Sequence, residues 1–136
     1  MAAGLLRQRL AADEPDARHR VVSSGVWAAD DEPASENAVA AMAERGIDIS
    51  EHRSHSLTTE EVAGADLILV MTNEHGRMVR QTWPQYAWKV RLLSEMTGKR
   101  RDVEDPYGGP IEEYRACADN LSRYIDDGLE RILELV

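Results

Sequence analysis

Cysteine is almost absent. Cys117 is the only one in 136 residues, so neither an internal disulfide nor a multi-cysteine metal site can form. Long apolar runs are missing too: nothing approaches the roughly 20 residues that cross a bilayer. The start, MAAGLLRQRLAADEPD, shows neither the apolar stretch nor the cleavage site of a secretory signal. Positive charge is scarce, with 16 Lys and Arg against 25 Asp and Glu and a net charge of −9. Such a field argues against a nucleic-acid surface, which needs clustered cations. No repeat, low-complexity tract or interdomain linker divides the chain. The expectation is a single domain over residues 1–136, in the reduced cytoplasm, with no membrane partner.

What remains alternates between helical and strand periods. Met1 to about Ala12 reads as a helix with Ala2, Leu5, Leu6 and Leu10 on one side, and Arg20–Val26 (RVVSSGV) as a strand. An alanine-rich helix is predicted from Ser35 to Arg45 with Gly46 at its C′ position, and Ile47–Leu57 as irregular. Thr58 or Thr59 opens a short helix ending near Gly64. Asp66–Met71 (DLILVM) reads as a strand buried on both faces, followed by a helix capped by Thr72 or Asn73 and stopped at Pro84. Lys89–Leu93 is a further strand. Pro110 suits the first turn of a last helix whose stripe is Ile111, Tyr114, Ala118, Leu121, Ile125 and Ile132. The alternation predicts an α/β fold with a parallel sheet covered on both faces. Met1 and Ala2 have no capping residue before them, as though a strand and turn had once fed this helix.

The densest chemical signal is Asp105-Pro106-Tyr107-Gly108-Gly109-Pro110. Pro106 holds Asp105 extended, so one turn can present a carboxylate and an aromatic ring, the equipment of a general acid. A structural turn is the competing reading of the same residues. Further segments accompany it in order: MAAGLLRQRL at Met1–Leu10, SSGVWA at Ser23–Ala28, RGIDISEHRSHSLT at Arg45–Thr58, and ADLILVMT at Ala65–Thr72. With EDPYGG before a long helix, this series resembles the low-molecular-weight protein tyrosine phosphatases over essentially the whole chain. It is similar above all to the bacterial branch that includes protein arginine phosphatases.

The resemblance implies a three-layer, doubly wound parallel sheet. It implies hydrolysis of phosphotyrosine or phosphoarginine through a phosphocysteine intermediate, with no cofactor and no metal. Asp105 would be the general acid and then the base, and Tyr107 would line the pocket mouth. Trp27 would stand at the rim, while Ser24 and His52 would join a network bracing the catalytic loop. Trp27 as a packing residue and His52 as a solvated loop residue are the plain alternatives. That loop, C-x5-R-S/T-P, and the first, central strand before it belong to the family but not to these 136 residues. Cys117 and Arg123 have the bare spacing, but they lie mid-helix without a glycine loop, and Cys117 reads as a half-buried structural thiol. Lys99, Arg100 and Arg101 read as a solvated run. Arsenate reduction on the same fold needs further cysteines and is excluded. The expectation is therefore a phosphatase relative that is catalytically incompetent as given, or a non-catalytic binding or regulatory descendant. Its partner would be a phosphorylated protein or inorganic phosphate, and its open sheet edges would invite homo-oligomerisation or strand exchange.

Overall fold

In a computed structural model, which describes residues 1–26 and 29–136, the first helix, α1 (Ala2–Asp13), starts from Met1 without a side-chain cap and buries Leu5 and Leu10. The other early helices carry the caps their sequences offer. Ser35 accepts from Ala38 N–H to open α2 (Glu36–Ala43). Thr58 and Glu61 form a reciprocal capping box at α3 (Thr59–Gly64). Thr72 accepts from His75 N–H at α4 (Asn73–Thr82), which gives way to a 3₁₀ segment, Pro84–Lys89. A second 3₁₀ segment, Leu93–Thr97, leads into the loop before α5 (Ile111–Leu135). Pro110 stands at the cap of α5 instead of inside its first turn, and α2 ends two residues earlier than expected, at Ala43.

Two strands, β1 (Ile68–Val70) and β2 (Val90–Leu92), pair in parallel with Ile68 opposite Val90 and Val70 opposite Leu92. Successive side chains of a strand point to opposite faces. Leu69 and Met71 accordingly pack against a core of Leu5, Met42, Leu93, Leu121 and Ile125, which belongs to α1, α2, α5 and the Leu93–Thr97 segment. Ile68 and Val70 pack into a separate core with Val79, Val90 and Leu92, on the α4 side. The sheet thus lies between two helical layers. The expected burial of Asp66–Met71 on both faces is only partly realised: Val70 is buried, whereas Ile68, Leu69 and Met71 are half-buried.

The strand expected over Arg20–Val26 does not form. Among the described residues its sole pairing is an isolated parallel bridge between Gly25 and Ser56, in which Gly25 N–H donates to His55 C=O and Leu57 N–H donates to Gly25 C=O. β-branched residues favour an extended backbone, but a strand exists only where a neighbour supplies partners. Here that neighbour meets the segment at one residue, Arg7 takes the Val21 carbonyl, and Val22 is exposed.

Candidate functional site

The loop that carries Asp105 follows the Leu93–Thr97 segment and runs past the end of β1. Val103 N–H donates to Met71 C=O at 2.8 Å, and the Asp102 carboxylate accepts from both the backbone and the side-chain N–H of Asn73, which ties it to the start of α4. Asp105 Oδ1 accepts from Tyr107 N–H at 3.1 Å, the local turn typical of aspartate. Gly109 N–H then donates to Pro106 C=O at 2.8 Å, closing a turn in which Gly108 adopts φ +80°. That backbone is open to glycine and strained for other residues. At the far end Asn37 on α2 donates its side-chain amide to Gly109 C=O at 3.1 Å. Asp105 and Tyr107 both project into solvent from this braced turn, Tyr107 at 83% exposure.

Beside the loop runs an open cleft of about 500 Å³, whose walls include Asp102, Glu104 and Asp105 on one side and Glu113, Cys117 and Arg123 of α5 on the other. The beginning of α1 belongs to the same neighbourhood. Burial lowers the pKa of the Met1 ammonium group, while Cys117 and Asp105 lie close enough to pull it back up. Cys117 is half-buried, with its sulfur 4.0 Å from Glu104 C=O. Burial pushes its thiol pKa upward and Asp105 adds to that, against the pull of the Met1 ammonium. A thiol held protonated in this way is a poor nucleophile. Lys99, Arg100 and Arg101 are exposed. Arg101 instead anchors the preceding turn through its backbone, because Ser94 Oγ both accepts from its N–H and donates to its C=O.

The polar cluster around Ser24 has a different histidine from the expected one. Ser24 Oγ lies 2.8 Å from His55 Nε2 and donates to Glu61 Oε2 at 3.0 Å, and His55 Nε2 lies 2.8 Å from the same carboxylate oxygen. His52 is exposed on the neighbouring loop, its pKa lowered by burial first and then by the Met1 ammonium, Arg7, His55 and Arg53. The structure brings Ser24, His55 and Glu61 together and leaves His52 beside α1. The reason is local: Ser56 pairs with Gly25, which sets His55 beside Ser24. Glu61 in this cluster and Asn37 at the Asp105 turn are residues that sequence reasoning missed. The Thr58-x-x-Glu61 box is a readable signal for the first, and none marks the second. Trp27 lies outside the described residues. Among the described residues, no three His, Cys, Asp or Glu side chains converge as a metal site would need.

Comparison with known proteins agrees with this geometry. The family model described as low molecular weight phosphotyrosine protein phosphatase matches residues 1–134. A protein-arginine-phosphatase of Geobacillus stearothermophilus is 38% identical over 113 residues, covering 82% of this chain and 76% of that protein. The "Probable low molecular weight protein-tyrosine-phosphatase EpsP" of Ralstonia nicotianae is 36% identical over 135 residues, covering 99% of this chain and 88% of its own length. Among solved structures, a low molecular weight protein tyrosine phosphatase from T. tengcongensis superposes with a TM-score of 0.89 at 40% identity, over 96% of this chain and 88% of the other. With the α/β layers, the parallel pair and the Asp105 loop all in place, the chain belongs to the low molecular weight phosphotyrosine protein phosphatase family.

Proposed function

We propose that residues 1–136 are a single domain holding the scaffold and proton donor of a phosphatase acting on phosphotyrosine or phosphoarginine in proteins. In this reading the attacking thiolate comes from a C-x5-R loop that these residues do not include, placed by a central strand between Arg20–Val26 and β1. The sulfur displaces the leaving group at phosphorus while Asp105 gives its proton to the leaving oxygen or nitrogen. The resulting carboxylate then takes a proton from water as that water attacks the phosphocysteine, releasing inorganic phosphate and the thiolate. Tyr107, and Trp27 at the rim, would shape the entrance, while Ser24 with His55 and Glu61 would brace the loop from the side.

The observation that carries the reading is the presentation of Asp105. Its loop is tied to β1 at Val103 and to α2 at Gly109, and it displays the carboxylate at a cleft beside the start of α1. Cys117 does not substitute for the thiolate, because its surroundings hold it protonated. Loss of a nucleophile that acts as part of a unit removes ~10⁴–10⁶ in rate. These 136 residues alone should therefore turn over p-nitrophenyl phosphate no faster than their Asp105→Asn variant. Turnover clearly above that variant would overturn the proposal.

A further inference from the structure

An exposed turn can hold a catalytic carboxylate in place only if both of its ends are fixed to rigid elements. For the Asp105 turn the upstream fixture is backbone, Val103 N–H on Met71 C=O, with Val103 itself buried. Downstream, the hydrogen bonds within Asp105–Gly109 stay inside the turn: Tyr107 N–H on Asp105 Oδ1 and Gly109 N–H on Pro106 C=O. Among the described residues, the bond that ties this turn to another element comes from the side chain of Asn37, 72 residues away, onto Gly109 C=O. Asn37 is well placed for the task. It is half-buried in the first turn of α2, and its neighbours Ala38 and Ala41 pack in one core with Tyr114 of α5. The donor is therefore held against α5, the helix that forms one wall of the cleft.

We propose that Asn37 is a positioning residue for Asp105: by donating to the Gly109 carbonyl it locks the Asp105–Gly109 turn against α2 and sets the direction of the carboxylate. This rests on the reading of Asp105 as the proton donor. Asn37→Asp separates positioning from mere stability. The new carboxylate puts an oxygen where the Gly109 carbonyl needs a donor, yet a negative charge in the first turn of a helix favours that helix. Amide exchange with water, measured by NMR on the 136-residue chain, is the readout. In Asn37→Asp the Tyr107 and Gly109 amides should exchange about fivefold faster, as expected for the loss of one hydrogen bond, with the melting temperature unchanged or raised. Asn37→Ala, which removes the donor without adding charge, should accelerate the same two amides. Asn37→His, whose Nδ1 sits as far along the side chain as the asparagine nitrogen and can donate, should return exchange to within twofold of the parent. Unchanged exchange at Tyr107 and Gly109 in both Asp and Ala variants would overturn the proposal, and so would acceleration spread equally over α2 and α5. The Asp105 reading has its own separate failure, unchanged catalysis after Asp105→Asn in a chain supplied with a C-x5-R-S-P loop, so the two results are distinguishable.

Discussion

Gly128→Ala sets two effects of opposite sign against each other. Gly128 lies in the middle of α5, where alanine is favoured over glycine by roughly 1 kcal/mol in an open helix. Yet a Cβ built there would lie 2.6 Å from Met96 Cβ, 3.2 Å from Met96 C and 3.3 Å from Met96 O, against the 3.4 Å at which ordinary contact begins. The obstruction is a Cβ and a backbone carbonyl, so no side-chain rotation relieves it. The Leu93–Thr97 turn would have to withdraw by about 0.8 Å. That turn is pinned. Ser94 Oγ bonds both backbone groups of Arg101, Thr97 Oγ1 donates to Ser94 C=O, and Leu92 N–H donates to Glu95 Oε1. Overpacking of this kind costs about 1–3 kcal/mol, and the immovable neighbours place it near the upper end. The net expectation is a loss of about 1–2 kcal/mol, or a fall in Tm of roughly 5 °C for a chain of this length. Urea and thermal unfolding would measure it. Gly64→Ala is the control: it ends α3 with no atom within 4 Å of the new Cβ, so it should be neutral or slightly stabilising. If Gly128→Ala proves as stable as the parent, the close packing of α5 on the Leu93–Thr97 turn is refuted.

Lys89 is buried, with Nζ donating to Val62 C=O at 2.9 Å and Ala63 C=O at 2.8 Å in the last turn of α3, and it lies 4.7 Å from the Tyr86 ring centre. Lys89→Met strips those carbonyls of their partner and should cost about 2–3 kcal/mol in urea unfolding. A loss below about 0.5 kcal/mol would contradict the capping role. Burial would raise the pKa of Glu61, but hydrogen bonds from His55, Thr58 and Ser24 together hold it below its ordinary 4.5. A lowered carboxylate pKa stabilises the fold above about pH 4.5, and that contribution disappears as pH falls through the folded-state value. Glu61→Gln, which keeps the capping box, should therefore lower the unfolding free energy slightly at pH 7, by about 0.5 kcal/mol for a partly exposed group. Its stability should fall less steeply than the parent's between pH 5 and pH 3, and an unchanged acid limb would contradict the assignment.

Much of the architecture was legible because it is written locally. The Tyr114, Ala118, Leu121, Ile125 and Ile132 stripe is buried along α5, and Ser35, Thr58 and Thr72 each cap the helix they precede. These signals span a few residues and depend on nothing distant. Arg20–Val26 failed as a strand for the opposite reason. Val21 and Val22 announce extended backbone, but pairing depends on a neighbour that local sequence does not describe. The same limit appears at the polar cluster. His52 and His55 stand three apart in an irregular segment without periodicity, and only the Gly25–Ser56 bridge places His55 beside Ser24. Asp105 and Tyr107 were visible because proline and glycine mark a turn. The Asn37 contact to Gly109 spans 72 residues and leaves no local trace.

The role of Asp105 can be tested directly by joining to the front of Met1 a strand and C-x5-R-S-P loop taken from a relative in the same family. The parent fusion and its Asp105→Asn variant would then be compared on p-nitrophenyl phosphate and on a phosphoarginine peptide. With Asp105 as proton donor, the parent should release phosphate and the variant should lose about 10²–10⁴ in kcat on the peptide, with its unfolding midpoint unchanged. Equal kcat for parent and variant, in two proteins of equal stability, would contradict the account.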